Sequence, residues 1–127
     1  MNAMSTLLIP SAVMPYNTLI GKILQRHREN IGKNQSEVAE VAGLTQSAYS
    51  RIESGQSPLT LAHLHAISNA LEIKPDEVLK EADQIAGKLV SQNVTVPFEK
   101  PENGDNTKAA LLIGLGVLLM ILAATNK

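Results

Sequence analysis

The sequence predicts an all-α protein: a five-helix domain built on a helix-turn-helix, then a single C-terminal helix of transmembrane length. Three observations carry this. Between residues 18 and 90, apolar side chains recur at helical spacing, punctuated by Asn, Thr, Gly and Pro where helices start and stop. The stretch 34–55, NQSEVAEVAGLTQSAYSRIESG, reads as two short helices joined by a tight turn. Residues 109–124, AALLIGLGVLLMILAA, are apolar on every face, and Thr125 extends them. The expected organisation is an N-terminal arm (1–17), the helical domain (18–90), a linker (91–108) and the apolar helix (109–125).

The arm, MNAMSTLLIPSAVMPYN, carries no charged side chain. A secretory signal needs a basic stretch before its apolar run, and Pro10 and Pro15 interrupt the run here. The arm therefore reads as an extended segment, and the apolar stretch 6–13 gives it a reason to pack on something. The first helix is expected over 18–31, with Leu19, Ile20, Ile23, Leu24, His27 and Ile31 on one buried stripe. His27 reads as a half-buried packing residue. Gly32 ends the helix.

Asn34 is a good N-cap for the second helix, and Glu37 three residues on completes a capping box. Val38, Ala39, Val41 and Ala42 give its apolar face, and Gly43 supplies the left-handed backbone of the turn. Thr45 caps the third helix and Gly55 ends it. At about 100° per residue, Gln46, Ser47, Ser50 and Arg51 share one arc, with Ala48, Tyr49 and Ile52 opposite. A helix packed on one face and lined with Gln, Ser and Arg on the other suits reading base edges in a major groove.

Thr60 is expected to cap a fourth helix reaching Leu71, with Leu61, Leu64, Ile67 and Leu71 inward. His63 and His65 lie about 200° apart around it, too far to grip one metal ion. Pro75 suits the first position of a fifth helix, where Asp76 and Glu77 complement the dipole. Val78, Ala82, Ile85 and Leu89 make a heptad-like seam, read as packing on the first helix, with a dimer contact as the alternative. Residues 91–108 carry two prolines, Asn-Gly and mixed charge, the signature of a linker, although Val94, Thr95 and Val96 could form a short edge strand before Pro97.

Residues 109–125, at 1.5 Å per residue, span roughly 25 Å, the low end of what a bilayer core requires. Lys100 and Lys108 precede this helix and only Lys127 follows it, which favours a cytoplasmic position for the helical domain. Ala110 and Gly114 form a small-xxx-small pair suited to helix pairing. The expected location is a bacterial inner membrane, crossed once.

Composition narrows the function classes. The chain lacks cysteine, so neither disulfides nor thiolate metal sites are available. Low aromatic content argues against stacking platforms for single strands. Within 18–72, Lys22, Arg26, Arg28, Lys33 and Arg51 are balanced by Glu29, Glu37, Glu40, Glu53 and Glu72. Affinity for DNA must then come from arrangement more than from net charge. No catalytic residues, metal site or cofactor are expected, because no base-paired nucleophile, glycine-rich phosphate loop or metal spacing is present.

From about 19 to 79 the chain resembles the phage-repressor/Cro (Xre-like) helix-turn-helix family. The matching residues are Gly32, Gln35, Ala39, Gly43, Gln46, the run Ser50-Arg51-Ile52-Glu53, Gly55, Pro58 and the segment NALEIKPDEVL. The resemblance implies a compact repressor-like domain that binds double-stranded operator DNA as a homodimer. Under it, Asn34 and Gln35 hold a phosphate at the second helix, while Gln46, Ser47 and Arg51 face bases or adjacent phosphates. Thr45 and Ser50 flank that surface. Arg28 pairs with Glu53 as a structural link. Tyr49 departs from the aliphatic residue usual there; it is expected in the core with its hydroxyl at the surface, within possible reach of DNA. The expected function is a membrane-tethered transcriptional regulator, with the bilayer held by 109–125. The alternative is a membrane-anchored adaptor whose helix-turn-helix grips a protein.

Overall fold

The computed structural model of the chain describes residues 12–99, 101 and 105–125. The expectations placed on 1–11 and on the middle of the linker lie outside those residues. In chain order the elements are β1 (Ala12–Val13), α1 (Tyr16–Asn30), α2 (Gln35–Ala42), α3 (Gln46–Glu53), α4 (Leu61–Ala70), α5 (Pro75–Ser91), β2 (Val94–Thr95) and α6 (Asp105–Thr125). The fold is mostly helical. Among the described residues it departs from all-α only in a two-stranded parallel ribbon that pairs Ala12 with Val94 and Val13 with Thr95.

The chain forms two compact units, 17–83 and a second made of the described residues up to 16 together with those from 84 onward. In the first, α1 buries Leu19, Ile20, Ile23 and Leu24, and α2 buries Val38 and Ala39. Tyr49 and Ile52 of α3, Leu64, Ile67 and Ala70 of α4, and Val78 and Ala82 of α5 complete the core. Gly21 of α1 is buried, and a Cβ there would collide with the backbone carbonyl of Glu53. Its absence lets α1 approach the end of α3 closely.

Three residues assigned to buried stripes are exposed instead. Ile31 falls in the turn after α1 has ended, and Val41 stands in the last turn of α2 at the edge of its buried arc. Leu61, 75% exposed, opens α4 one position after the Thr60 cap. Helix ends outrun the neighbours that cover their middles, so periodicity overstates burial there.

In the second unit, Ile85 and Leu89 of α5 are buried, so the expected seam of Val78, Ala82, Ile85 and Leu89 is divided between the two units. Residues 91–99 do not behave as open linker. Met14 and Tyr16 donate backbone N–H bonds of 2.8 Å to the carbonyls of Thr95 and Pro97, and the Tyr16 and Phe98 rings lie 5.0 Å apart. Helix α6 packs on β1, burying Ala110, Gly114, Leu118, Ile121 and Leu122 along one stripe. Residues 106–125 are long and apolar enough to cross a bilayer, with a mean hydropathy of 2.2.

Candidate nucleic-acid interface

Helices α2 and α3 and their turn form the site. Asn34 accepts from the Glu37 N–H at 2.8 Å while the Glu37 carboxylate accepts from the Asn34 N–H at 2.9 Å, a complete capping box. The helix ends at Gly43, whose φ of 74° is left-handed and costs a residue without Cβ little. The Leu44 N–H then bonds back to Ala39 at 2.8 Å, closing the turn. Thr45 opens α3 by accepting from Ala48 N–H at 3.1 Å.

Four side chains of α3 lie along its outer arc: Gln46, Ser47 and Arg51 are exposed and Ser50 is partly exposed. Among the described residues no hydrogen bond or ion pair holds the Arg51 guanidinium. Gln46 is held differently. Its Nε2 donates to Gln35 Oε1 at 2.9 Å, Gln35 Nε2 donates to Glu53 Oε1 at 3.0 Å, and Glu53 in turn receives Arg28. The chain of contacts runs from α1 through α3 and α2 to the outer face of α3.

Arg28 and Glu53 meet at two points, Nε to Oε2 and Nη2 to Oε1, each 2.8 Å, and Arg28 Nη1 also donates to the Lys33 carbonyl at 2.9 Å. Burial pushes the Glu53 carboxyl up, but the bonds it receives and the guanidinium charge outweigh burial and hold it below the usual range. The same bonds raise Arg28. On the far side of α1, Glu81 accepts from His27 Nε2 at 3.0 Å and sits 3.5 Å from Arg26, so its carboxyl is also lowered, chiefly by His27. His27 is half-buried, as its place on the stripe implied, yet its ring has a polar partner.

Tyr49 corrects the sequence reading. It is fully buried, hydroxyl included, and so cannot touch DNA. Its hydroxyl feels the Glu53 charge without closing an ordinary hydrogen bond; burial first, and then Glu53, push its pKa up. Asn34 and Gln35 are both engaged within the domain. The capping box occupies the oxygen and N–H of Asn34, and the Gln35 amide is turned toward Glu53 and Gln46. The link from Gln35 to Gln46 has no signature in linear spacing, since the two are eleven residues apart and meet only across the turn.

Comparison with known proteins agrees with this geometry. Residues 24–78 match the helix-turn-helix family model HTH_3. The cryptic phage CTXphi transcriptional repressor RstR of Vibrio cholerae serotype O1 is 36% identical over 55 residues, 43% of this chain and 49% of the relative. The chain thus spans about half the length of that relative. Among solved structures, the clp gene regulator ClgR of Corynebacterium glutamicum aligns at 25% identity with a TM-score of 0.52, covering 54% of this chain and 90% of that one. A second crystal structure of ClgR shares the fold at 23% identity and a TM-score of 0.57, covering 61% and 82%. Residues 24–78 are thus similar, in sequence and in fold, to helix-turn-helix domains of the HTH_3 type.

Proposed function

We propose that the chain is a membrane-tethered, sequence-specific DNA-binding transcriptional regulator. Helix α3 enters the major groove, a second copy reads the other half-site about 34 Å away, and α6 holds the pair at a bilayer. The observation that carries the reading is the outer arc of α3, where Gln46, Ser47 and Arg51 are exposed and Gln46 is aimed by Gln35. One Gln46 N–H goes to Gln35. Its oxygen and second N–H remain, the pair needed to read adenine N6 and N7 together. Arg51 takes a guanine or a phosphate, Ser47 and Ser50 the adjoining edge or backbone. Thr45 lies at the start of α3, where backbone N–H groups meet phosphate, while Asn34 and Gln35, engaged within the protein, border the site.

The tether rests on α6, whose span is apolar over a length suited to a bilayer core. Lys100 and Lys108 ahead of α6 support a cytoplasmic position for the DNA-reading side. The test is gel retardation at low salt against genomic fragments, with the Gln46→Ala, Arg51→Ala double variant as control. A specific shift lost in the double variant is expected. Absence of any specific fragment, together with a protein partner that survives nuclease treatment, would instead favour the adaptor.

A further inference from the structure

Helix α6 touches its own N-terminal strand in a way that bears on how it meets lipid. The Val13 carbonyl rests against Gly114 so closely that any Cβ there would collide with it. Gly114, which lies on the buried stripe of Ala110, Leu118 and Ile121, is thereby covered, whereas Leu112, Leu119 and Met120 remain exposed. Gly114 lies five residues beyond the first apolar residue, about 7 Å along the axis at 1.5 Å per residue. In a spanning helix that is hydrocarbon depth. Strand β1 has a strand partner on one edge only among the described residues, and an open edge of backbone polar groups does not persist in hydrocarbon.

We infer that docking of α6 on strand β1 and insertion of α6 into a bilayer exclude one another. The N-terminal strand is an intramolecular cover that lipid must displace. The inference rests on the membrane reading given above, and it goes further by naming what the bilayer competes with. A ribbon of two-residue strands has little stability of its own, so loss of α6 also releases β1 from β2. Because only the undocked fraction is competent to insert, anything that unseats β1 raises apparent affinity for lipid.

Gly114 and Gly116 provide a matched pair, since a Cβ at Gly116 meets open space. The full chain is synthesised cell-free with vesicles of phosphatidylethanolamine and phosphatidylglycerol, then floated on a density gradient, as wild type, Gly114→Leu and Gly116→Leu. Both substitutions add the same apolar side chain to the same helix, but only Gly114→Leu strikes the strand. At limiting vesicle, Gly114→Leu is expected to float about threefold or more above Gly116→Leu. Equal flotation of the two overturns the inference and leaves the tether standing. No flotation of any form overturns the tether and the inference with it. Should Gly114→Leu aggregate, hydrogen exchange on the wild type decides: the Met14 and Tyr16 amides should exchange about tenfold faster once vesicles are bound. Unchanged protection in the bound chain overturns the proposal.

Discussion

Arg28 and Glu53 are joined by two parallel bonds of 2.8 Å, with side chains only 11% and 4% exposed. Removing one partner leaves the other charge enclosed and unpaired. Arg28→Ala should therefore destabilise the helix-turn-helix domain by about 3–5 kcal/mol. Urea unfolding of wild type and variant checks this, and a loss below about 1 kcal/mol would show that the pair is solvent-screened like a surface bridge.

The same carboxylate predicts an acid limit. Glu53 and Glu81 both have folded-state values below the ordinary glutamate value near 4.5. A depressed carboxyl contributes stability that is present above its unfolded value and lost as pH falls through the folded one. Stability should thus be level at neutral pH and decline below about pH 4.5. Glu53→Gln should flatten part of that decline. Thermal melts across pH 3–7 measure it, and a decline of equal slope in the variant would remove Glu53 from the account.

Tyr49→Phe removes a hydroxyl that is buried without an ordinary partner, so it should change stability by no more than about 1 kcal/mol. DNA affinity should stay at the wild-type level. A marked loss of binding in a well-folded Tyr49→Phe protein, followed by anisotropy titration, would contradict the buried placement of that ring.

On a specific site, Gln46→Ala should cost about 1–3 kcal/mol of affinity, with discrimination relaxed at one base pair. Gln35→Ala should lose less, because Gln46 keeps its reading groups and forfeits only their orientation. If Arg51 meets a phosphate, Arg51→Ala weakens binding across sequences and lowers the salt slope by about one. Titrations at two salt concentrations on matched and mismatched duplexes separate these outcomes; wild-type behaviour in both Gln46→Ala and Arg51→Ala would place the interface elsewhere.

Much of the fold was legible because caps and periodicity are local. Asn34 with Glu37, Gly43, Thr45 and Thr60 stand where short-range hydrogen bonding requires them, and the boundaries of α1 to α5 follow within a residue or two, whereas α6 begins at Asp105, ahead of the apolar run that starts at Ala109. Burial in helix middles followed the apolar spacing, as at Leu64 and Ile67. What stayed hidden is non-local. Nothing in the spacing of Gln35, Gln46 and Glu53 announces a relay, because its links cross between helices. Nor could the arm reveal its partner, since parallel pairing of Ala12 with Val94 joins residues from opposite parts of the chain. Leu61 and Val41 misled because a period says which way a side chain points and nothing about whether a neighbour is there.

The capping box at the start of α2 has one more consequence. Glu37 places a fixed negative charge at the positive pole of a helix aimed at where nucleic acid would approach. The helix has, in effect, already been given its own anion, and an incoming phosphodiester meets a site that is electrically quenched. In the proposed complex, adhesion to arbitrary duplex is thereby kept low, leaving discrimination to the outer side chains of α3.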